Sequence, residues 1–380
     1  MSGAREFPLK LLQMSDKDRL DFFMKKTVLH QKFTEAYDEA LSCIMNPTPA
    51  LIVMICGPTG AGKTQLCKRL VKSLYTKMAK KMEEDPGYLP VVHMDAIAPD
   101  SGAFNMKEFY IRAMMAAREP MINQKRKSRK RRDSLDPLLD YGVRRNAAVR
   151  ELRRAYENCL KNRCPSAVIV DEGQHLTIMP SGRRLRDNME VIKCLTNNTG
   201  VHHVLIGTYD LLTLVDLSAQ LARRNRVVHL ARYRYDIEGD MEHFKDVVLA
   251  FQKIIPIYRE PNLEDMTEYL YEKSLGCVGI LKIHLHRAFT DALNCGAKTI
   301  DEKTLKRNEP RSESLLQIMR EISEREKMFE LNHDGEIRMM LGMGDRGQAA
   351  PHGEQTQRTR RRVGQRNPVR DAVGRDRNAI

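Results

Sequence analysis

The residues best equipped for chemistry stand together in Gly57-Pro58-Thr59-Gly60-Ala61-Gly62-Lys63-Thr64, which fits G-x-x-x-x-G-K-[ST] at every position. The glycines let backbone N–H groups turn inward around phosphate oxygens. A helix opening behind the loop adds partial positive charge at the same point. Lys63 is placed to reach the β- and γ-phosphates of a nucleotide, and Thr64 to hold Mg²⁺, so ATP and Mg²⁺ are the cofactors this loop implies. A second constellation is AVIVDE (167–172), four apolar residues running into an acid pair. Asp171 would hold the magnesium, through water, and Glu172 would polarise the attacking water. An ordinary strand-end acid pair would look the same taken alone. Its pairing with the phosphate loop is what points to chemistry.

Both constellations need elements to hold them. The run LIVMIC (51–56) directly precedes the loop, and its unbroken apolarity suits a parallel strand covered on both faces. Behind the loop, Leu66, Leu70, Leu74, Met78 and Met82 line one side of a long helix that Asp85, Pro86 and Gly87 end. LPVVHMDA (89–96), AVIVDE (167–172), HHVLIGT (202–208) and RVVHLA (226–231) read as four more strands. Helices marked by Phe109 and Met114, and by Val149, Leu152, Tyr156 and Cys159, alternate with them. The alternation predicts an α/β fold with a five-stranded parallel sheet flanked by helices. From 238 to 305 the pattern is purely helical. At the other end, Ser15 followed by Asp18 is a capping-box pattern, preceded by residues 1–14 that read as poorly ordered. Leu315, Ile318 and Ile322 mark a short amphipathic segment. From residue 351 onward eight Arg stand against three acids with few large apolar residues, which predicts a disordered basic tail.

The formal net charge of +14 points to a polyanionic partner. The densest cluster is KRKSRKRR (125–132), with Lys125, Arg126, Lys127 and Arg129 among its seven cations. It reads either as a phosphate-contacting loop or as a solvated insertion, and its lack of aromatics argues against base stacking. Arg183, Arg184 and Arg186 form another patch behind the acid pair, facing a pore or water. The eight cysteines include no C-x-x-C pair and read as reduced thiols. The longest apolar run, 50–56, is too short to cross a bilayer. A cytoplasmic protein without a membrane partner is expected, and no acid triad outside the nucleotide site suggests a nuclease.

With these motifs in place, the chain resembles the AAA+ superfamily and, more narrowly, the TnsC/TniB group of bacterial transposition ATPases. The resemblance runs over roughly 28–300 and rests on GPTGAGKT (57–64), VIVDEGQHL (168–176), LTNNTGVHHVLIGT (195–208), SAQLARRNRVVHLARY (218–233) and LGCVGILKIHLHRA (275–288). It implies an N-terminal extension at 1–30, a nucleotide-binding AAA+ domain at 31–237 with a basic insertion near 119–147, a helical lid at 238–305, and the amphipathic segment and tail at 306–380. It gives Thr208 the sensor-1 position, where a plain strand-end cap is the alternative. It gives Arg224 or Arg223, with Arg226 behind them, the arginine-finger position facing a neighbouring subunit, where a surface cluster is the alternative. Lys282, after Gly276-x-x-Gly279, takes the place of a sensor-2 residue, although many relatives carry Arg there. Lys107 and Arg112 fall where the group tracks DNA. The resemblance further implies ATP-driven head-to-tail assembly with copies of itself on double-stranded DNA, between a DDE transposase and a target-selection protein of the TniQ/TnsD kind. A nucleotide-switched signalling or scaffold NTPase and a replication initiator or helicase loader stand as alternatives. The first would bring a repeat array and the second a winged helix, and neither pattern is seen in the sequence.

Overall fold

The computed structural model describes residues 5–46, 52–99, 102–122, 137–179, 182–215, 225–330 and 339–341. The run at 125–132, Arg223, Arg224 and the tail from 342 onward lie outside these residues, as do the side chains of Arg183 and Arg184. The chain divides into a unit reaching Met328 and a second unit, Phe329–Ile380. All that follows concerns the first.

Five strands, β1 (Ile52–Cys56), β2 (Val91–Asp95), β3 (Ala167–Asp171), β4 (His202–Gly207) and β5 (Asn225–His229), form one sheet in the order β2-β3-β4-β1-β5. Every pairing is parallel. All five β1 residues are buried because the sheet is covered on both faces. Ile52 and Met54 face a core with Phe109, Tyr110, Tyr156 and Ile192, which come from α5 (Met106–Ala116), α6 (Pro137–Arg163) and α7 (Gly182–Thr199). Val53 and Ile55 face the opposite core, with Phe33 and Ala40 from α2 (Gln31–Met45) and Leu66 and Leu70 from α3 (Lys63–Lys77). Full burial of each such aliphatic or aromatic side chain contributes roughly 1.5–3 kcal/mol.

The strand order sets the site. Because β4 lies between β3 and β1, the turn after β4 falls between the acid pair and the phosphate loop. Parallel strands bring all three to the carboxyl ends of the central strands, where ligands bind in open α/β folds.

A helical group forms a third core. Phe244, Phe251, Leu281 and Phe289 belong to α9 (Asp240–Ile254) and α11 (Val278–Asn294), which flank α10 (Thr267–Ser274); Phe23 of α1 (Asp16–Lys25) joins them. Its ring lies 6.0 Å from those of Phe251 and Phe289. The Ser15 hydroxyl accepts from the Asp18 amide at 3.3 Å and caps α1. Among the described residues the remaining α-helices are α4 (Ala79–Glu84), the one-turn α8 (Leu212–Val215), α12 (Glu302–Arg307) and α13 (Ser312–Glu330).

The structure corrects two local expectations. The long helix behind the loop breaks at Met78, whose backbone (φ −100°, ψ 9°) separates α3 from α4. Residues 5–14 are ordered: Arg5 donates to the Ile257 carbonyl at 2.7 Å, Glu6 N–H donates to Lys253, and Phe7 is buried. Their order comes from contacts with Lys253 and Ile257, which no pattern local to residues 5–14 reveals.

Burial holds the pKa of His30, His203 and His229 down to about 4. The unfolded chain therefore takes up protons that the folded chain refuses. Stability from this source is complete above pH 6.5 and falls as the pH drops towards 4, by up to about 1.4 kcal/mol per pH unit for each histidine. Urea midpoints measured between pH 7 and pH 5 should decline accordingly.

Candidate nucleotide site

The loop after β1 is shaped by close backbone approaches. A Cβ on Gly57 would stand 2.3 Å from the Leu230 carbonyl oxygen. Gly60 and Gly62 have φ of 82° and 102°, in the left-handed region that glycine enters without strain. Lys63 opens α3, and its ammonium donates to the carbonyls of Gly57 at 3.0 Å and Pro58 at 2.9 Å. Burial lowers the Lys63 pKa, against the opposing pull of Glu172 and Asp171.

Asp171 ends β3 and is 4% exposed. One carboxylate oxygen accepts from the Glu172 amide at 2.9 Å, and the nearby Thr64 hydroxyl also favours its charged form. Its pKa is raised, first by burial and then by the nearby Glu172 and Asp95 carboxylates, which outweigh those two influences. A buried carboxylate against a hydroxyl, with further carboxylates near, is an all-oxygen set suited to a hard divalent cation. Such a cation would also relieve the carboxylate crowding. The residues present therefore fit Mg²⁺.

Glu172 takes a left-handed backbone (φ 54°, ψ 32°), uncommon for a residue other than Gly, Asn or Asp. Its carboxylate accepts from the Gln174 amide nitrogen at 2.5 Å. The Gln174 carbonyl oxygen in turn accepts from the Thr208 amide at 3.2 Å. One glutamine thus ties the acid after β3 to the turn after β4. Gly207 makes room for it, since a Cβ there would lie 2.3 Å from the Gln174 oxygen. The sequence reading missed Gln174. Its only signals are its place two residues beyond the acid and the glycine before Thr208. The Thr208 hydroxyl donates to Asp210 at 3.2 Å.

The helical group clasps the loop through α11. Gly279 N–H donates to the Gly60 carbonyl at 2.7 Å, and Tyr233 N–H donates to Gly276 at 3.1 Å. Side chains at either glycine would clash, at 2.5 Å from the Gly60 oxygen and 2.0 Å from the Tyr233 oxygen. Lys282 lies one turn further along α11. Its ammonium caps the end of α1, donating at 2.7 Å to both the Met24 and Lys26 carbonyls. The exposed backbone carbonyls of that helix end attract the cation, and they take it away from the expected phosphate contact.

Two further cations have partners within the chain. Arg226 is bound to Glu39 of α2 at 2.9 Å. Arg112 pairs with Glu108 one turn earlier at 2.9 Å. Lys107 sits in the first turn of α5, where its amide is capped by Asn105.

Residues 47–215 match the family model described as AAA domain. Over those residues the chain is similar to AAA-type P-loop ATPase domains. No curated protein matches it. Among solved structures, the AAA domain and its flanks are similar to the Aeropyrum pernix ORC2 protein in its ADP form, with a TM-score of 0.50 and 14% identity over 76% of this chain and 71% of that one. Cdc6p from Pyrobaculum aerophilum gives 0.49 and 15% over 80% and 74%, and the Aeropyrum pernix ORC1 protein in complex with DNA gives 0.49 and 14% over 78% and 70%. The first is a likeness of fold, and no activity is transferred from any of them. Among the described residues no helix is long and apolar enough to cross a membrane.

Proposed function

We propose that this chain is an AAA+ ATPase that assembles on double-stranded DNA and regulates transposition, with ATP binding building the assembly and hydrolysis releasing it. The observation that carries the ATPase part is the convergence of Lys63, Thr64, Asp171, Glu172 and Thr208 at the carboxyl ends of the central strands. Lys63 and the loop amides hold the phosphates. Thr64 and Asp171 hold Mg²⁺, which when bound supplies charge neutralisation at the β- and γ-phosphates. Glu172 accepts a proton from the attacking water, and Thr208 orients it. Arg224 or Arg223 completes the site from the neighbouring subunit.

The DNA part is supported by the net charge of +14 and by the resemblance to the TnsC/TniB group. Lys107, Arg112, the 125–132 run and Arg183 and Arg184 are the phosphate contacts proposed. A DDE transposase and a target-selection protein of the TniQ/TnsD kind are the protein partners. Bacterial cytoplasm is the setting this reading implies. The replication-initiator reading keeps a place because the ORC2 protein shares the fold.

Duplex binding with and without ATP separates the two readings. The transposition reading expects binding that needs ATP, ignores sequence and weakens steeply between 50 and 200 mM salt, as counterion release dictates. Lys63→Ala should abolish it. Binding that survives Lys63→Ala would contradict a nucleotide-gated clamp, and strong preference for one duplex sequence would favour the initiator reading.

A further inference from the structure

The helix after the lid, α13, lies against the phosphate loop. Ile322 is 2% exposed and packs in a small core with Cys56 at the end of β1, Tyr209, Leu212 and Cys277. One turn on, Glu326 accepts from the Arg232 guanidinium through both carboxylate oxygens, at 3.0–3.3 Å. These two anchors fix the rotation of α13 and leave Arg325 facing a cavity of about 300 Å³. Gly57, Pro58 and Thr59 of the phosphate loop form one wall of that cavity, and Thr208 and Asp210 form another. Arg325 lies 3.5 Å from the Asp210 carboxylate. Glu321 and Glu324 also line the cavity and are exposed.

The first residues of a P-loop and the turn of the sensor strand flank the terminal phosphate of a bound nucleoside triphosphate. Lys282, the cation that the Gly276-x-x-Gly279 landmark would send there, is held instead on the end of α1. Among the described residues that line this cavity, Arg325 is the cation. Its planar fork of donors suits a phosphate, and its present partner is a single carboxylate at a long distance.

We propose that Arg325 binds the terminal phosphate of ATP from within the same chain, exchanging Asp210 for it, and so makes α13 the element that distinguishes ATP from ADP. The inference rests on the reading of the Gly57–Thr64 loop as an ATP site. No covalent bond is made or broken in this exchange. Asp210 is the counter-ion when the terminal phosphate is gone, which keeps the guanidinium paired in both nucleotide states.

The test is competition of ADP and of the β,γ-imido analogue of ATP against a fluorescent ADP, with Mg²⁺ and the full chain. Arg325→Ala should weaken the analogue by about tenfold or more and ADP by less than about twofold. Arg325→Lys should recover part of the loss. Lys327→Ala removes an exposed charge two residues along the same helix and should leave the ratio of the two affinities unchanged. Because Ile322 and Glu326 anchor α13, the ADP affinity and melting temperature of Arg325→Ala serve as its folding control. An unchanged ratio in Arg325→Ala, or an equal shift in Lys327→Ala, would overturn the assignment of Arg325 alone. An unmutated chain that binds neither nucleotide would overturn the ATP-site reading beneath it.

Discussion

Glu172→Gln should bind Mg·ATP within about twofold of the unmutated chain and turn it over roughly 10²–10³ times more slowly, a rise of about 3–4 kcal/mol in the barrier. The two neighbouring carboxylates sit in different surroundings. Asp171 is buried, accepts from its neighbour's amide and lies near Thr64, which suits the Mg²⁺-holding role proposed for it. Glu172 is exposed, its backbone is turned into the left-handed region, and Gln174 holds its carboxylate. An amide at 172 keeps the size and the hydrogen-bonding reach of the side chain but cannot take a proton from water. Phosphate release and nucleotide competition measured on the same preparation separate the two effects. Binding lost together with turnover would place Glu172 in the ligand site itself and leave the base unassigned.

The second large effect concerns stability. Arg232 and Glu326 are each 8% exposed, bound through two guanidinium nitrogens and both carboxylate oxygens. Burial works against the charge on Arg232, but the hydrogen bonds and charge of Glu326 outweigh it and hold the guanidinium above its ordinary range. Glu326→Ala removes the compensation and leaves a buried cation. Breaking such a pair costs about 3–5 kcal/mol if the site stays dry. Here α13 can undock and let water in, so the cost is capped by the free energy that docks the helix. The expected result is loss of amide protection along Ser312–Glu330 and a lower melting temperature, with the sheet still protected. Replacing both partners by Met and Leu should restore most of the stability, since an apolar pair of similar volume avoids the desolvation cost. Unaltered protection of α13 in Glu326→Ala would show that Ile322 alone docks it.

How much of this was legible in the sequence depends on the range of the interactions. The phosphate loop is eight contiguous residues, and the Asp171-Glu172 pair follows a four-residue apolar run, so both were readable from neighbours alone. β1, β3 and β4 were readable for the same reason, because a strand buried on both faces carries an unbroken apolar run, whereas the edge strands β2 and β5 keep exposed polar residues among their apolar ones. Strand order could not be read from any one segment, yet it decides that Thr208 stands between the acid and the loop. Side-chain partners were the least legible. Glu39 takes Arg226 from 187 residues away, and Glu326 takes Arg232 from 94. The Gly276-x-x-Gly279 landmark located the turn that rests on Gly60, but nothing local to it reveals that the α1 end lies within reach of Lys282. The amphipathic triplet Leu315, Ile318 and Ile322 announced a helix without saying what it covers. Only the packing of Ile322 beside Cys56 brings that helix to the phosphate loop.

The central claim is that the loop from Gly57 to Thr64 and the acid pair after β3 form one ATP-hydrolysing site. Steady-state phosphate release from Mg·ATP, compared between the unmutated chain and Lys63→Ala, measures it most directly. Sustained release by the unmutated chain is predicted when duplex DNA is present, and none above background from Lys63→Ala under the same conditions. Equal release from both proteins would contradict it.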